Sequence, residues 1–255
     1  MTSAVVLVDV REAVLLITLN RPAARNAVDL EMALAVSAAL DRLDDDESLR
    51  VGVLAANGPA FCGGMDLKAF ARGEIPRPAP RGFGGLVEKP PRKPLIAAVE
   101  GPAVGGGFEM ALACDLIVAS RDARFALPEV TRGLTPNGGG LLRLPRLVPR
   151  SAATEMVFTG LPMSAERATE IGLVNRLTEP GHAVDEALAL AGKIAENAPL
   201  AILAAKRVMM QCADWPADEE FARQEEIVAP VRLSADAREG ARAFSEKRKP
   251  VWSGG

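Results

Sequence analysis

Val99-Glu-Gly-Pro-Ala-Val-Gly-Gly-Gly-Phe-Glu-Met-Ala-Leu-Ala-Cys-Asp115 is the stretch that decides the fold. The apolar run Leu95 to Val99 reads as a buried strand. Three glycines follow at 105, 106 and 107. Met110, Ala111 and Ala113 then suit a tightly packed helix. Glycines at a strand-to-helix turn let the backbone approach a ligand closely. The first amides of a helix have no internal acceptor, and the helix dipole there favours negative charge. Such a turn can hold an oxygen that becomes an anion. Glu109 lies within the same first turn. Taken alone, a glutamate there is ordinarily a solvated helix residue. A dinucleotide fingerprint would need glycines at 101, 103 and 106, and position 103 is alanine.

A second stretch repeats the arrangement. Val51 to Ala55 reads as a buried strand, and Asn57-Gly-Pro-Ala-Phe-Cys-Gly-Gly-Met-Asp-Leu-Lys68 follows. Asp66 is a good N-terminal residue for a helix. The amide of Met65 points outward from this turn, as that of Gly106 does from the first. Two such turns on adjacent strands aim two amides at one oxygen, which is the geometry of an oxyanion hole. A third glycine turn, Thr135-Pro-Asn-Gly-Gly-Gly-Leu-Leu-Arg143, opens another helix. Before it, Glu129 follows Pro128 in an apolar neighbourhood that would raise a carboxyl pKa.

Around these turns, Ala4 to Val10 and Ala13 to Leu19 alternate as two strands of a hairpin. Asp29 caps a helix running to about Leu43, with Met32, Leu34, Ala35 and Leu40 expected on its buried side. Residues 71–94 are rich in Pro, Gly and Arg and read as a mobile loop shaping the binding site. Leu116 to Ala119 and Gly172 to Arg176 read as short strands. Helices are expected at 152–159, 164–171, 183–197, 200–212, 217–228 and 234–244. The composition divides the chain into a core, residues 1–197, and a helical C-terminal region, 198–255.

Composition excludes several function classes. The 255 residues are 49% hydrophobic and 25% charged, as in ordinary soluble domains. A net charge of −3 argues against a general nucleic-acid surface. No apolar run approaches the ~18 residues that span a membrane, and no secretory signal is visible. Three scattered cysteines suit a reducing cytoplasm. His182 is the only histidine, placed where a helix opens. Histidine-rich metal sites are therefore excluded, no cysteine pair has zinc spacing, and no metal is expected. Proton transfer in an enzyme of this composition falls to carboxylates.

In their order and spacing these residues resemble the enoyl-CoA hydratase/isomerase family, the crotonases. The likeness rests on Leu19-Asn-Arg-Pro22, Phe61-Cys-Gly-Gly-Met-Asp-Leu-Lys68, Gly105-Gly-Gly-Phe-Glu109 and Phe125-Ala-Leu-Pro-Glu129. It extends through Gly138-Gly-Gly-Leu-Leu-Arg-Leu144 to Glu239-Gly-Ala-Arg-Ala-Phe-Ser-Glu-Lys-Arg-Lys-Pro250. Within the family the carnitinyl-CoA dehydratase (crotonobetainyl-CoA hydratase) branch looks most similar. The resemblance implies an α/β fold, a crotonase-like spiral of ββα units with a helical C-terminal trimerisation region. It implies trimers or pairs of trimers, an acyl-CoA thioester substrate, and no cofactor beyond the CoA of the substrate itself.

By matching position it implies that Glu109 and Glu129 form the acid/base pair, and that the amides of Met65 and Gly106 hold the thioester oxygen. Arg25, Ala27, Gly63, Asp66, Leu67 and Lys68 would lie along the CoA and substrate. Phe244 and Lys247 would reach CoA in a neighbouring subunit. Two retained glutamates favour hydration over Δ3-Δ2 double-bond isomerisation or thioester hydrolysis. A trimethylammonium acyl group is ordinarily held by aromatic faces. The chain has no Tyr, which leaves Phe70 and Phe83 as candidates for that task.

Overall fold

A computed structural model describes residues 4–255; the first three residues of the expected core lie outside it. The main sheet has six strands in the order β1-β2-β3-β4-β6-β9. β1 (Val6–Arg11) pairs antiparallel with β2 (Val14–Leu19), the hairpin turning at Glu12 with φ 54°. β3 (Val51–Ala56), β4 (Leu95–Val99), β6 (Leu116–Ser120) and β9 (Arg176–Thr178) continue it in parallel. β2, β3, β4 and β6 are buried on both faces, which explains their apolar runs, whereas β9 at the edge is half-exposed. Leu15, Ile17, Leu54, Leu95, Ala97 and Ile117 face the main core with Met32, Val36, Leu40 and Leu43. Val14, Leu16, Val53, Ile96 and Val118 face α7 (Ala183–Ala195), which meets them with Ala183, Ala187 and Ala191. Small residues at every fourth position let that helix lie close to the sheet.

A second, three-stranded sheet, β5-β7-β8, stands beside the first. Its strands are β5 (Pro102–Val104), β7 (Arg124–Ala126) and β8 (Met163–Ser164). The expected passage from β4 straight into a glycine turn is therefore corrected. Gly101, with φ 64°, bends the chain into β5, and only then does Gly105, with φ 56°, open α3 (Gly106–Leu112). The result is a repeated strand–strand–helix unit: β1, β2 and α1 (Leu30–Asp45); β4, β5 and α3; β6, β7 and α4 (Gly140–Leu147).

The Asp29 side chain accepts from the Met32 amide and caps α1 as expected. The buried face of α1 is rotated from the expected one. Met32, Ala33, Val36, Ala39, Leu40 and Leu43 are buried, whereas Leu34 is 51% exposed. The segment 71–94 is also corrected. Arg81, Phe83, Gly84, Gly85, Leu86 and Val87 are buried, so this half is core, not mobile loop. A Cβ at Gly85 would lie 2.0 Å from the Ala33 carbonyl oxygen, so α1 and this segment touch backbone to backbone. The strand expected at 172–176 begins instead at Arg176; Leu173 and Val174 are buried in the turn before it.

The remaining helices lie close to expectation. They are α2 (Leu67–Ala71), α5 (Arg150–Thr159), α6 (Ala165–Glu170), α8 (Pro199–Gln211), α9 (Glu220–Arg232) and α10 (Ala235–Ser245). Among the described residues no single helix is long and apolar enough to cross a membrane.

Candidate active site

The site is built where the two glycine turns meet. Val28 donates its amide to Gly64 O at 2.8 Å and accepts from Asp66 N at 2.9 Å. In this parallel bridge between Val28 and Met65, the N–H of Met65 points away from Val28. Gly106 opens α3, where the first amides have no acceptor four residues back. A Cβ at Gly64, whose φ is 91°, would lie 3.0 Å from Val104 O and 3.3 Å from Gly106 N. The Met65 and Gly106 turns therefore stand side by side. Phe83 walls the second turn: a Cβ at Gly106 would meet its ring carbons at 2.4 and 2.5 Å.

The turn 20–27 is pinned against this pair. Buried Asn26 donates to Asn57 O and Ala60 O, both at 2.9 Å. Gly63 N–H donates to Arg25 O at 2.9 Å. Arg21 pairs with both Asp29 and Asp66 at 3.0 Å. Asp66 also caps α2 by accepting from the Lys68 and Ala69 amides. Arg25, Ala27, Gly63, Asp66, Leu67 and Lys68 are thus brought together along one rim. Gly63, Leu67, Lys68 and Arg25 are exposed there. The Asp66 side chain is committed to that cap and to Arg21.

Glu109 is buried on the inner side of α3, only 3% exposed. The amides of Gly138 and Gly140 both donate to its Oε1, at 2.7 and 2.9 Å. A Cβ at Gly138 would lie 2.6 Å from Glu109 Oε2, and one at Gly140 3.0 Å from Oε1. Neither glycine has a positive φ; they are glycine because the carboxylate occupies the space. Burial pushes the Glu109 carboxyl above its ordinary value, against the pull of the Gly140 and Gly138 amides and of the Arg77 and Arg143 charges. This cradle is the feature that sequence reading missed. The glycine run 138–140 was visible as a helix-opening turn, but nothing local links it to a residue 29 positions earlier.

Glu129 starts a short 3-10 turn, Glu129–Arg132, separated from the end of β7 by two residues. The pairing of Val104 with Ala126, and the Gly105 amide bond to Ala126 O at 2.8 Å, bring it to the α3 turn. Its Oε1 would lie 2.9 Å from a Cβ at Gly105. Its Oε2 is buried and takes no hydrogen bond among the described residues. Burial is the main cause that raises the Glu129 carboxyl; its own backbone amide opposes this, and the Glu109 charge adds to the rise. Cys62, buried under the same turn, is an inert thiol pushed up to about 12 by desolvation.

The raised Glu129 carboxyl carries a stability consequence. The folded state holds this proton more tightly than the unfolded chain. Stability is therefore lost as pH rises from the unfolded value towards the folded one, and the deficit persists above it. Glu129→Gln is expected to melt at a higher temperature than the parent at pH 7.5. The difference should close below about pH 4, where both states are protonated. Thermal scans across that range check this, and a lower melting temperature at pH 7.5 would refute it.

Phe83 belongs to this site, buried at the Gly106 turn, whereas Phe70 on α2 is 52% exposed. Phe244 and Lys247 lie at the end of α10, and Phe244 is 87% exposed. Among the described residues no hydrogen bond or ion pair joins either of them to the two glutamates. Among the described residues no group of three or more His, Cys, Asp or Glu side chains is arranged to hold a metal ion.

Known proteins match this chain over nearly its whole length. The sequence profile described as enoyl-CoA hydratase/isomerase matches residues 9–255. A carnitinyl-CoA dehydratase of Salmonella agona is 45% identical over 249 residues, 94% of this chain and 95% of the relative. The crystal structure of an enoyl-CoA hydratase from Mycobacterium tuberculosis superimposes with a TM-score of 0.98 at 53% identity, covering 99% of this chain and 100% of the other. A carnitinyl-CoA hydratase from Mycobacterium avium superimposes with a TM-score of 0.80 at 42% identity, covering 99% of each chain. With the profile, the sequence relatives and the fold in agreement, the chain belongs to the enoyl-CoA hydratase/isomerase family.

Proposed function

We propose that this chain is an enoyl-CoA hydratase, a hydro-lyase that adds water to an α,β-unsaturated acyl-CoA thioester or removes it. The observation that carries the reading is the pair of carboxylates beside the two amide turns, Glu109 buried and Glu129 half-buried with its Oε2 enclosed. Glu109 has one oxygen tied to two amides, and Glu129 Oε2 is unpartnered among the described residues. The amides of Met65 and Gly106 hold the thioester oxygen as it gains enolate charge. Water attacks Cβ as a glutamate takes its proton, and a proton is delivered to Cα. Glu129 handles the Cα proton and Glu109 is its partner on the water. Burial raises both carboxyls above their ordinary value, the direction that suits groups exchanging protons in turnover.

The rim 25–68 holds the CoA, which is part of the substrate; no separate cofactor or metal enters the scheme. Phe244 and Lys247 reach CoA bound in a neighbouring copy, so the chain assembles as a trimer or pair of trimers. The helical region from residue 198 carries that assembly, and the protein works in the cytoplasm.

A second reading, carnitinyl-CoA dehydratase, is favoured by the 45% identity to the Salmonella protein. Against it, identity and TM-score are both higher for the Mycobacterium tuberculosis enoyl-CoA hydratase than for the Mycobacterium avium carnitinyl-CoA hydratase. Phe83, the buried one of the two aromatic candidates, is pressed against Gly106. A turnover screen over crotonyl-CoA, longer enoyl-CoA thioesters and crotonobetainyl-CoA tests both readings. Uncharged enoyl thioesters are expected to be hydrated with the higher kcat/KM. Preference for crotonobetainyl-CoA would select the second reading, and no hydration of any member would remove both. Light scattering that gave only an active monomer would remove the assembly.

A further inference from the structure

α10 and the residues after it form a tightly tied hairpin. Glu239, 9% exposed, is its hub. Its Oε1 accepts from Arg248 Nη1 at 2.6 Å and from the Val251 amide at 3.0 Å. Its Oε2 accepts from Arg248 Nη2 at 3.0 Å and from Arg242. These bonds, the Arg248 pair above all, hold the Glu239 carboxyl far below the usual carboxylate range.

One turn earlier, Asp236, 2% exposed, accepts from the Ser253 amide at 2.7 Å and the Gly254 amide at 3.1 Å, and its own amide donates to Gly255 O. Trp252 lies on Gly240, and its Nε1–H donates to Glu196 O at 2.7 Å, linking the tail to the end of α7. Between these ties the chain turns at Lys247 with φ 52°, a left-handed conformation that a lysine adopts only when its surroundings impose it. Phe244 and Lys247 project from this frame while everything that fixes them lies behind it.

We propose that Glu239 is a positioning residue for substrate binding: it fixes the turn 245–251 so that Phe244 and Lys247 are presented to the CoA of a neighbouring copy. This rests on the reading of Phe244 and Lys247 given under Proposed function. The investment of five hydrogen-bonding contacts in one carboxylate, beside two exposed residues with no task within their own chain, is the argument. Glu239 touches neither substrate nor the reacting atoms.

The test compares crotonyl-CoA with crotonyl-pantetheine, which lacks the nucleotide and its phosphates. Glu239→Gln is expected to raise KM for crotonyl-CoA about tenfold, with kcat within about twofold, as loss of one charge-assisted contact would do. The ratio of kcat/KM for crotonyl-CoA over crotonyl-pantetheine should fall about tenfold with it. General damage to the fold would lower both activities and leave the ratio unmoved. The double variant Glu239→Gln/Lys247→Met should cost no more than Lys247→Met alone, because the two act through one contact.

If Lys247→Met lowers the ratio and Glu239→Gln does not, the positioning role is overturned while the CoA contact stands. If Lys247→Met itself leaves the ratio unmoved, the CoA contact falls and takes the positioning role with it. Should Glu239→Gln fail to fold, Trp252→Phe, which loses the bond to Glu196 and the outer indole ring lying on Gly240, must show the same selective fall, and an unchanged ratio there also overturns the proposal.

Discussion

Glu129→Gln and Glu109→Gln are each expected to lower kcat for enoyl-CoA hydration about 10²–10⁴-fold, with KM nearly unmoved. Glutamine keeps the shape of the side chain. At 109 its carbonyl can still accept from the Gly138 and Gly140 amides, so the cradle survives and only the titrating group is lost. At 129 it replaces a carboxylate whose Oε2 has no partner among the described residues, and the amide's carbonyl oxygen can still accept from the residue's own backbone N–H. The double variant should cost less than the product of the single losses, because both groups act on one water. Steady-state kinetics on crotonyl-CoA decide it. Hydration by Glu129→Gln at the parent rate would remove the hydratase reading and leave a reaction that needs only the amide pair.

Gly106→Ala is expected to lower kcat about 10²–10³-fold, the loss typical of one oxyanion donor. The added Cβ would sit 2.4 Å from the Phe83 ring, so ring and turn must part and the amide moves. Phe83→Leu in the same chain removes the obstructing ring atoms and should restore at least part of the loss. Gly107→Ala makes the contrast. Its Cβ would meet Cys62 O at 2.3 Å and Cys62 C at 2.8 Å, both backbone. No side chain can yield there, so that variant should lose folded protein rather than turnover alone. A Gly106→Ala enzyme with parent kcat would show that this amide does not hold the thioester oxygen.

The regular elements were legible because their signals are local. The alternation of β2, the apolar run of β4 and the Asp29 cap each lie within a few residues. β5 was not legible: three residues between two glycines of positive φ are too few to carry a period. Leu34 misled because α1 lies backbone to backbone on Gly85, at Ala33 O and Ser37 N, a long-range contact that local periodicity does not show, and the leucine is left exposed. The same close contact explains why glycine-rich 82–85 looked like loop and is core. Both glutamates could be named from motif order, but the partners that hold Glu109 come from a different helix. Backbone amides leave no mark in sequence beyond the glycines that make room for them.

That reliance on main chain has a consequence for how such a site changes over generations. Substitution alters side chains and leaves peptide amides in place. The donors proposed for the thioester oxygen, and those seen gripping Glu109, are therefore insulated from most single-codon changes outside a handful of glycines. Met65 contributes only its amide to the proposed chemistry, so its half-buried side chain can change as long as the core beside it stays filled. Lineages can reshape the acyl pocket without dismantling the reaction centre, and a designer seeking new substrates should randomise side chains such as Met65 while leaving Gly105, Gly106, Gly138 and Gly140 untouched.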